Sequence, residues 1–205
     1  MIAIIDYGVG NLFSLKSSFA AIGAETVVTG SPEVIREAEK LILPGVGAFG
    51  DAAALLRRNN LDKLVCEETG NGKPLLGICL GMQLLFDYSL EYGRHQGLGL
   101  IPGGARDIRE VIPADYKVPH IGWNALRVPE GKPVSPLFRR IKEGDCVYFV
   151  HSFAAMDCEE SIIASAEYGP LLTAAVANGN VYGTQFHPEK SGAVGLDILR
   201  AFCEM

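Results

Sequence analysis

The stretch of sequence that most constrains the fold runs from Lys73 to Phe86 and reads KPLLGICLGMQLLF. Leu75 to Ile78 is a short apolar segment bounded by proline and glycine, which is typical of a buried strand. Leu80 to Phe86 has no proline and no glycine after position 81, which favours a helix. Cys79 lies between them in a G-x-C-x-G pattern, the cysteine counterpart of the G-x-S-x-G nucleophile elbow. The chain is therefore expected to turn sharply from strand to helix at Cys79.

A turn of this kind has chemical consequences for its central side chain. It lifts the side chain clear of the sheet and directs the first amides of the helix towards whatever that side chain attacks. These amides and the helix dipole favour a thiolate and a developing oxyanion. The alternative is a cysteine that only packs in an apolar strand, because cysteine also behaves as a small hydrophobic residue. This segment alone leaves both interpretations open.

The composition indicates one α/β domain over residues 1–205, since 48% of the residues are hydrophobic and 20% are charged. A formal net charge of -6 and a pI near 5.2 argue against a surface for nucleic acid or for an anionic membrane. No segment is apolar and long enough to span a bilayer, and the N-terminal MIAIIDYG has no basic region. We expect a cytoplasmic protein that acts on small solutes or binds a protein partner.

The sequence predicts no metal site and no cofactor. The five cysteines are odd in number and widely spaced, and they form no C-x-x-C pair, so neither a zinc site nor a disulfide framework is indicated. The loop Gly8-Val9-Gly10 follows an apolar strand, but it lacks the third glycine of a dinucleotide-binding fingerprint.

Strands and helices alternate through the first half of the chain. Strands are predicted at Ile2–Ile5, Thr26–Thr29, Lys40–Leu43 and Leu75–Ile78. In a parallel sheet, the glycine-rich loop Pro44–Gly50 emerges at the same carboxyl edge as Cys79. Asn178-Gly179 in the second half is a strong hairpin signal. The predicted fold is a flavodoxin-like open, mostly parallel sheet with helices on both faces and antiparallel strands added in the second half.

The second half is predicted to contain five strands, a long loop and a closing helix. The strands are Trp123–Val128, Asp145–Phe153, Ser161–Glu167, Leu171–Ala177 and Val181–Phe186. The glycine-rich segment Ser89–Gly104 is predicted to be an irregular connection near the active edge, and Gly195–Glu204 an amphipathic helix.

The motif Phe186-His187-Pro188-Glu189 ends the last predicted strand. His187 and Glu189 are separated by one residue, so in an extended backbone their side chains fall on the same side. A thiol needs a nearby base to become a thiolate at neutral pH, and the base needs an acceptor that fixes its tautomer. Cys79, His187 and Glu189 supply these three roles if the fold brings them together. A plain surface turn at residues 187–189 is the alternative.

The other histidines are weaker candidates for the base. His120 and His151 have no carboxylate two residues away, and His151, which lies near the end of a predicted strand, is the second choice after His187. His95 lies in the polar loop and is expected to be solvated.

Several motifs together resemble those of class I glutamine amidotransferases, in which a Cys-His-Glu triad hydrolyses the side-chain amide of glutamine. They are GICLGMQ around Cys79, QFHPEKS around His187 and PGVG at residues 44–47. Within that class, DYGVGNL, PHIGWN and YFVHSF resemble the glutaminase subunits of imidazole glycerol phosphate synthase, which act in histidine biosynthesis. The resemblance covers essentially the whole chain.

The resemblance implies a role for each matching residue. Cys79 would be the nucleophile, His187 the base and later the acid, and Glu189 the residue that orients the imidazole. The oxyanion hole would be formed by backbone amides of Val46, Gly47 and Leu80. The substrate glutamine would be held by Gln83, Glu91, His151 and Ser152. Leu90 stands where the family pattern usually has a second acidic residue before Glu91.

The resemblance also implies a partner, because ammonia released into water would be protonated and would lose its nucleophilicity. That partner is a (β/α)8-barrel cyclase, which would receive ammonia through a tunnel and use it on a phosphorylated ribulosyl substrate to make imidazole glycerol phosphate and AICAR. The candidates for the docking face are Tyr7, Asn11, Trp123, Tyr148 and Lys190. A plain core role is the alternative for Trp123 and Tyr148.

Three other functions remain open from the sequence. The glutaminase of a different amidotransferase would have the same triad, but PHIGWN and YFVHSF would then have no explanation. A catalytically silent binding module on the same fold would not need all three triad members. A cysteine hydrolase acting on peptides would need a base soon after Cys79, and the nearest histidine, His95, has no evident acidic residue to orient it.

Overall fold

A nine-stranded sheet runs through the whole molecule. The computed structural model describes residues 1–205. Its strands are β1 (Ile2–Ile5), β2 (Thr26–Thr29), β3 (Lys40–Leu43), β4 (Leu75–Ile78), β5 (Phe86–Ser89), β6 (His95–Gln96), β7 (Ile101–Asp107), β8 (His120–Arg127), β9 (Cys146–His151), β10 (Phe153–Met156), β11 (Ile162–Glu167), β12 (Leu171–Asn178) and β13 (Val181–Thr184). The order in the large sheet is β2-β1-β3-β4-β13-β12-β11-β8-β9.

One half of this sheet is parallel and the other antiparallel. β2, β1, β3, β4 and β13 run parallel, whereas β12, β11, β8 and β9 are added with antiparallel pairing. The hairpin between β12 and β13 turns at Gly179, whose φ of 59° lies in the left-handed region that the Asn-Gly signal predicts. The predicted fold class is confirmed.

Helices cover both faces of the parallel half. They are α1 (Leu12–Ala21), α2 (Pro32–Glu37), α3 (Phe49–Arg58), α4 (Leu61–Gly70), α5 (Leu80–Leu84) and α6 (Gly192–Cys203). β1 and β4 are buried along their whole length, which explains why they read as continuous apolar runs without alternation. None of the helices is both long and apolar enough to cross a membrane.

The structure corrects three predictions in the middle of the chain. The segment 89–104 is not an irregular connection, because it contributes β6 and part of β7 to a second sheet of order β10-β7-β5-β6. The predicted helix from Leu80 accordingly ends at Leu84, and Phe86 begins β5. The predicted strand 145–153 is split at Ser152, where the chain leaves the large sheet after β9 and joins the second sheet as β10. Alternation of residue types cannot reveal this change, since both halves are strands.

Candidate active site

Cys79 forms the predicted nucleophile elbow between β4 and α5. Its backbone angles are φ 55° and ψ -112°, a combination that is rare for any residue with a side chain. Such a conformation costs about 1–3 kcal/mol and persists only where the surroundings impose it. The backbone is tightly packed on both sides of Cys79. A Cβ placed on Gly81 would lie 1.8 Å from the Leu43 carbonyl oxygen, and one on Gly77 would lie 2.7 Å from the Gly81 carbonyl oxygen. The two flanking glycines are therefore required by close backbone contacts.

Strand pairing brings the late histidine to the cysteine. β13 lies beside β4, with Thr184 opposite Ile78, and the Cys79 amide donates to the Thr184 carbonyl at 2.8 Å. His187 follows three residues after Thr184 and is 2% exposed. Its Nδ1 lies 2.8 Å from Oε1 of Glu189. The triad residues are thus adjacent in space although 108 positions separate the cysteine from the histidine in the sequence (187 minus 79).

The turn that carries His187 is fixed to the antiparallel half of the sheet. The His187 amide donates to the Tyr148 carbonyl at 3.0 Å. Ser191 Oγ donates to the His187 carbonyl at 2.6 Å and accepts from the Tyr148 amide at 3.0 Å. Ser191 has only one signal for this role in the sequence, its position after the HPEK motif, so the role is not predictable from the sequence.

The surroundings of His187 favour its charged form. Burial by itself would lower the pKa of the imidazole, but hydrogen bonds to Cys79 and Glu189 and the negative charge of both groups outweigh burial and raise the pKa to about 9. A protonated imidazole beside the sulfur is the arrangement that activates cysteine nucleophiles. The alternative of a plain surface turn at 187–189 does not fit this buried, hydrogen-bonded geometry.

A cleft of about 400 Å³ opens above the sulfur. Most of the residues predicted to form the site line it: Val46, Gly47, Cys79, Leu80, Gln83, Glu91, His151, Ser152, His187 and Lys190. Glu189 does not line it and lies behind His187, with its side chain 1% exposed. A pocket of this size suits a small polar substrate.

The loop at residues 44–47 lies against the start of α5. A Cβ on Gly45 would lie 2.7 Å from the Gly81 nitrogen and 2.9 Å from Leu80 Cβ, so only glycine permits this approach. Val46 and Gly47 are exposed at the mouth of the cleft, and Gly47 has a φ of 97°. The loop therefore packs against the start of α5 as well as connecting β3 to α3.

Tyr7 supports this loop from below and is not a surface residue. It is 2% exposed, and its hydroxyl donates to the Pro44 carbonyl at 2.7 Å. Burial, with a smaller contribution from the charge of Cys79, raises the pKa of Tyr7. The prediction of Tyr7 as a docking residue is corrected accordingly: its apolar ring fills the core and its single hydroxyl is already bonded inside.

Glu91 joins the second sheet to the loop region. Its Oε2 accepts from the Phe49 amide at 2.6 Å, at the first residue of α3, where a negative charge is favoured by the helix dipole. The carboxylate also lines the cleft, whereas Leu90 is 40% exposed. Gln83 also lines the cleft, and its amide nitrogen donates to the Phe153 carbonyl at 3.0 Å.

The remaining histidines are engaged elsewhere. His151 has both ring nitrogens occupied, with Nδ1 2.9 Å from the Phe153 carbonyl oxygen and Nε2 3.0 Å from Nδ1 of His120. It is therefore not available as the base. The expectation that His95 is solvated holds only in part, because its ring packs against Gly50, where a Cβ would lie 2.7 Å from the imidazole.

The buried His151 predicts a loss of stability in acid. Burial first, and then the charge of His120, lower the pKa of His151 to about 3. An unfolded histidine titrates near 6.5, so between pH 6.5 and 3 the unfolded state binds more protons and the stabilising contribution is lost as the pH falls. We expect the unfolding free energy to drop by about 2 kcal/mol more between pH 6.5 and 5 in the unmodified chain than in His151→Gln. Urea titrations at each pH measure this, and an equal drop in both proteins would contradict it.

The other predicted docking residues lie at or near the surface. Trp123 is 56% exposed and meets the half-buried Tyr148 edge to face, with ring centroids 6.0 Å apart. The alternative core role for Trp123 is thus wrong. Lys190 is exposed beside the cleft. The Asn11 side chain accepts from the Ser14 amide at 3.3 Å and caps α1.

Comparison with known proteins shows the family to which the chain belongs. Residues 3–204 match the family described as glutamine amidotransferase class-I. A solved structure described as a glutamine amidotransferase superposes with a TM-score of 0.76 at 20% identity and covers 100% of this chain and 98% of that chain. PurLQS from Thermotoga maritima gives 0.76 at 20% identity, covering 99% and 97%. These two structures support the fold alone, and with the family match the chain belongs to the class-I glutamine amidotransferases.

Nearer relatives carry one name, imidazole glycerol phosphate synthase subunit HisH. The protein from Oceanobacillus iheyensis is 47% identical over 206 residues, which cover 100% of this chain and 99% of that protein. The corresponding values are 49% over 211 residues for Geobacillus sp. (100% and 97%) and 47% over 212 residues for Geobacter sulfurreducens (100% and 98%). Within the class-I family the chain groups with these HisH subunits, which confirms the resemblance that the motifs indicated.

Proposed function

We propose that this chain hydrolyses L-glutamine to glutamate and ammonia with Cys79, His187 and Glu189. The ammonia passes to a cyclase subunit in a heterodimer, which uses it to make imidazole glycerol phosphate and AICAR. The observation that carries the proposal is the buried hydrogen bond between His187 Nδ1 and Glu189 at the cleft that Cys79 and His187 both line. The names of the relatives supply the pathway.

The chemistry follows from this geometry. The Cys79 thiolate attacks the side-chain amide carbon of glutamine, and the carbonyl oxygen becomes an oxyanion. His187 gives its proton to the departing nitrogen, the C–N bond breaks, and ammonia leaves a thioester on the sulfur. His187 then takes a proton from water, whose oxygen attacks the thioester and releases glutamate and the thiolate. Glu189 holds the imidazole in the tautomer that both steps need.

The oxyanion is stabilised by backbone amides of Leu80 and of Val46 or Gly47. Leu80 is the first residue of α5, whose first amides lack partners inside the helix. Val46 and Gly47 lie in the loop held against the start of that helix. Each such donor typically contributes about a hundred- to a thousand-fold in rate.

Substrate binding uses the charges around the cleft. Glu91 is the carboxylate on the cleft wall and suits the α-ammonium group of glutamine. His151 and Ser152 contribute the strand edge where the chain passes from β9 to β10, and Gln83 contributes its amide. A cleft of this volume with one carboxylate on its wall fits a small zwitterion better than a peptide.

The partner surface lies next to the cleft. The exposed Trp123 packs on the half-buried Tyr148, Lys190 is exposed beside the cleft, and Asn11 lies at the start of α1. Aromatic residues of this kind often anchor protein interfaces. Direct transfer to a docked cyclase keeps ammonia unprotonated. We place the reaction in the cytoplasm, because a thiolate nucleophile requires reducing conditions.

The test measures glutamate production from glutamine by the purified chain, alone and after addition of the cyclase subunit that partners HisH-type glutaminases. We expect low activity alone and strong stimulation when the cyclase carries its own ligand. Stimulation by an unrelated synthase in place of this cyclase would overturn the pathway assignment. A chain that binds glutamine without forming glutamate, with or without the cyclase, would instead indicate a silent binding module.

A further inference from the structure

A row of buried amides leads from the second sheet to the catalytic sulfur. Gln83 Nε2 donates to the Phe153 carbonyl at 3.0 Å and to Oε1 of Gln185 at 3.1 Å. Gln185 Nε2 in turn donates to Cys79 Sγ at 3.9 Å, a hydrogen bond to sulfur. Gln185 is 0% exposed and lies two residues before His187. The proposed mechanism uses the sulfur but leaves this donor unexplained.

The orientation of both amides follows from one backbone group. A carbonyl oxygen can only accept, so Phe153 requires that Gln83 turn its NH2 group towards it. The second proton of that NH2 group meets Gln185, so Gln185 must present its oxygen there, because two donors would face each other otherwise. The NH2 group of Gln185 is thereby left facing Cys79. His151 Nδ1 also lies 2.9 Å from the Phe153 oxygen, which fixes this carbonyl further.

We propose that Gln185 is a catalytic hydrogen-bond donor to the Cys79 thiolate and that Gln83 is the positioning residue that aims it. This inference deepens the proposed glutaminase function and rests on it for the identity of the substrate. Gln185 can donate to the sulfur in every step, whereas His187 gives up its proton when ammonia leaves and regains one only when water attacks. Gln185 therefore stabilises the thiolate before the attack on glutamine and again, together with the reprotonated His187, when the thiolate leaves in thioester hydrolysis, and it holds the sulfur towards the cleft.

The proposal predicts an effect on the sulfur itself, measured without glutamine or partner. Iodoacetamide reacts when the thiolate displaces iodide to form a thioether, so its rate against pH reports the thiolate fraction. The rate is followed by mass spectrometry of the peptide that contains Cys79, which separates this residue from the four other free cysteines. In Gln185→Met, which keeps the side-chain length, we expect the midpoint to move up by about one pH unit, so that the rate at pH values well below the midpoint falls about 10-fold.

A neighbouring substitution controls for general disturbance of the strand end. Thr184 is also fully buried, and its hydroxyl donates to the Phe186 carbonyl at 3.1 Å, not to the sulfur. Thr184→Val removes a buried hydroxyl at the adjacent position and is expected to leave the midpoint of Cys79 alkylation unchanged. Thermal unfolding of each variant shows whether the fold is retained.

The positioning role of Gln83 is tested by a double substitution. Gln83→Met frees Gln185 to rotate, so the midpoint is expected to rise by less than in Gln185→Met. The double variant is expected to match Gln185→Met alone, because Gln83 acts on the sulfur only through Gln185. Additive shifts would overturn the positioning role.

A second substitution tests the hydrogen bond from Gln185 to the Cys79 thiolate if Gln185→Met does not fold. Gln185→Glu has the same shape but places an acceptor against the sulfur, and it is expected to raise the alkylation midpoint further than Gln185→Met. Folded variants with the unmodified pH profile would overturn the proposal, and so would loss of the fold in both, since Gln185 would then act on the core. Absence of glutamine hydrolysis with an intact alkylation shift would overturn only the proposed function.

Discussion

Replacing Cys79 with alanine is expected to lower cyclase-stimulated glutamine hydrolysis by at least about 10⁴-fold, as removal of a triad nucleophile does in other hydrolases. The reason is that no other thiol lines the cleft, and the thioester divides one difficult step into two easier ones. Glutamate release under saturating glutamine measures the effect. Equal glutamate release by the alanine variant would contradict the mechanism as a whole.

Two further substitutions make this test specific. Cys146→Ala removes an exposed thiol at the start of β9 and is expected to keep full activity. Cys79→Gly is expected to be as inactive as Cys79→Ala but more stable to urea by about 1 kcal/mol, since glycine relieves the strain of the positive φ. An alanine variant as stable as the glycine variant would show that the elbow is not strained.

Substitution of Gly81 by alanine is expected to destabilise the chain by about 3 kcal/mol or more and to lower glutaminase activity by over about 100-fold. The added Cβ would lie 1.8 Å from the Leu43 carbonyl oxygen and 3.1 Å from the Pro44 carbonyl carbon. These are backbone atoms at the end of β3 and the start of the loop 44–47, which we propose to supply oxyanion donors, so the clash cannot be relieved by movement of a side chain. The start of α5 and the loop must separate, which removes the donors from the cleft.

Gly70→Ala is the matched control. Gly70 ends α4 on the surface and does not line the cleft, and apart from its chain neighbours and the backbone of its own helix no atom lies within 4 Å of the place that its added methyl group would take. Alanine there is expected to change stability by less than about 1 kcal/mol, in the stabilising direction, and to leave activity unchanged. Urea unfolding and the glutamate assay are applied to both variants. A Gly81→Ala protein with the stability of Gly70→Ala would contradict the packing described for the elbow.

The residues that we propose as catalytic could be selected from the sequence because each carries a local signal. Cys79 has glycines at a fixed spacing, and His187 and Glu189 are a base and an acceptor on one side of an extended segment. Tyr7 and Gln185 have no such signal. Tyr7 reads as a loop residue until its hydroxyl is found on the Pro44 carbonyl, and Gln185 reads as a strand residue until its amide is found beside the sulfur.

The middle of the chain shows a different limit. Residues 86–107 and 153–156 contribute the strands of the second sheet, in which β10 pairs with β7, and β5 with both β6 and β7. The glycines in these residues predict a loop when only the sequence is considered. In the structure they permit close backbone contacts, as at Gly97, where a Cβ would lie 2.0 Å from the Phe86 carbonyl oxygen. A local pattern cannot separate these two reasons for glycine.

The sequence by itself determined the parallel core, the elbow at Cys79 and the pairing of His187 with Glu189, because strand periodicity, a turn and a spacing of two residues are properties of short segments. Only the tertiary structure decided that His187 meets the sulfur, since this depends on β13 lying beside β4 with Thr184 opposite Ile78. It also decided that Gln83 meets Gln185 and that Gln185 faces Cys79. Contacts of this kind arise from packing between segments that are far apart in the sequence, and no local preference of either segment encodes them.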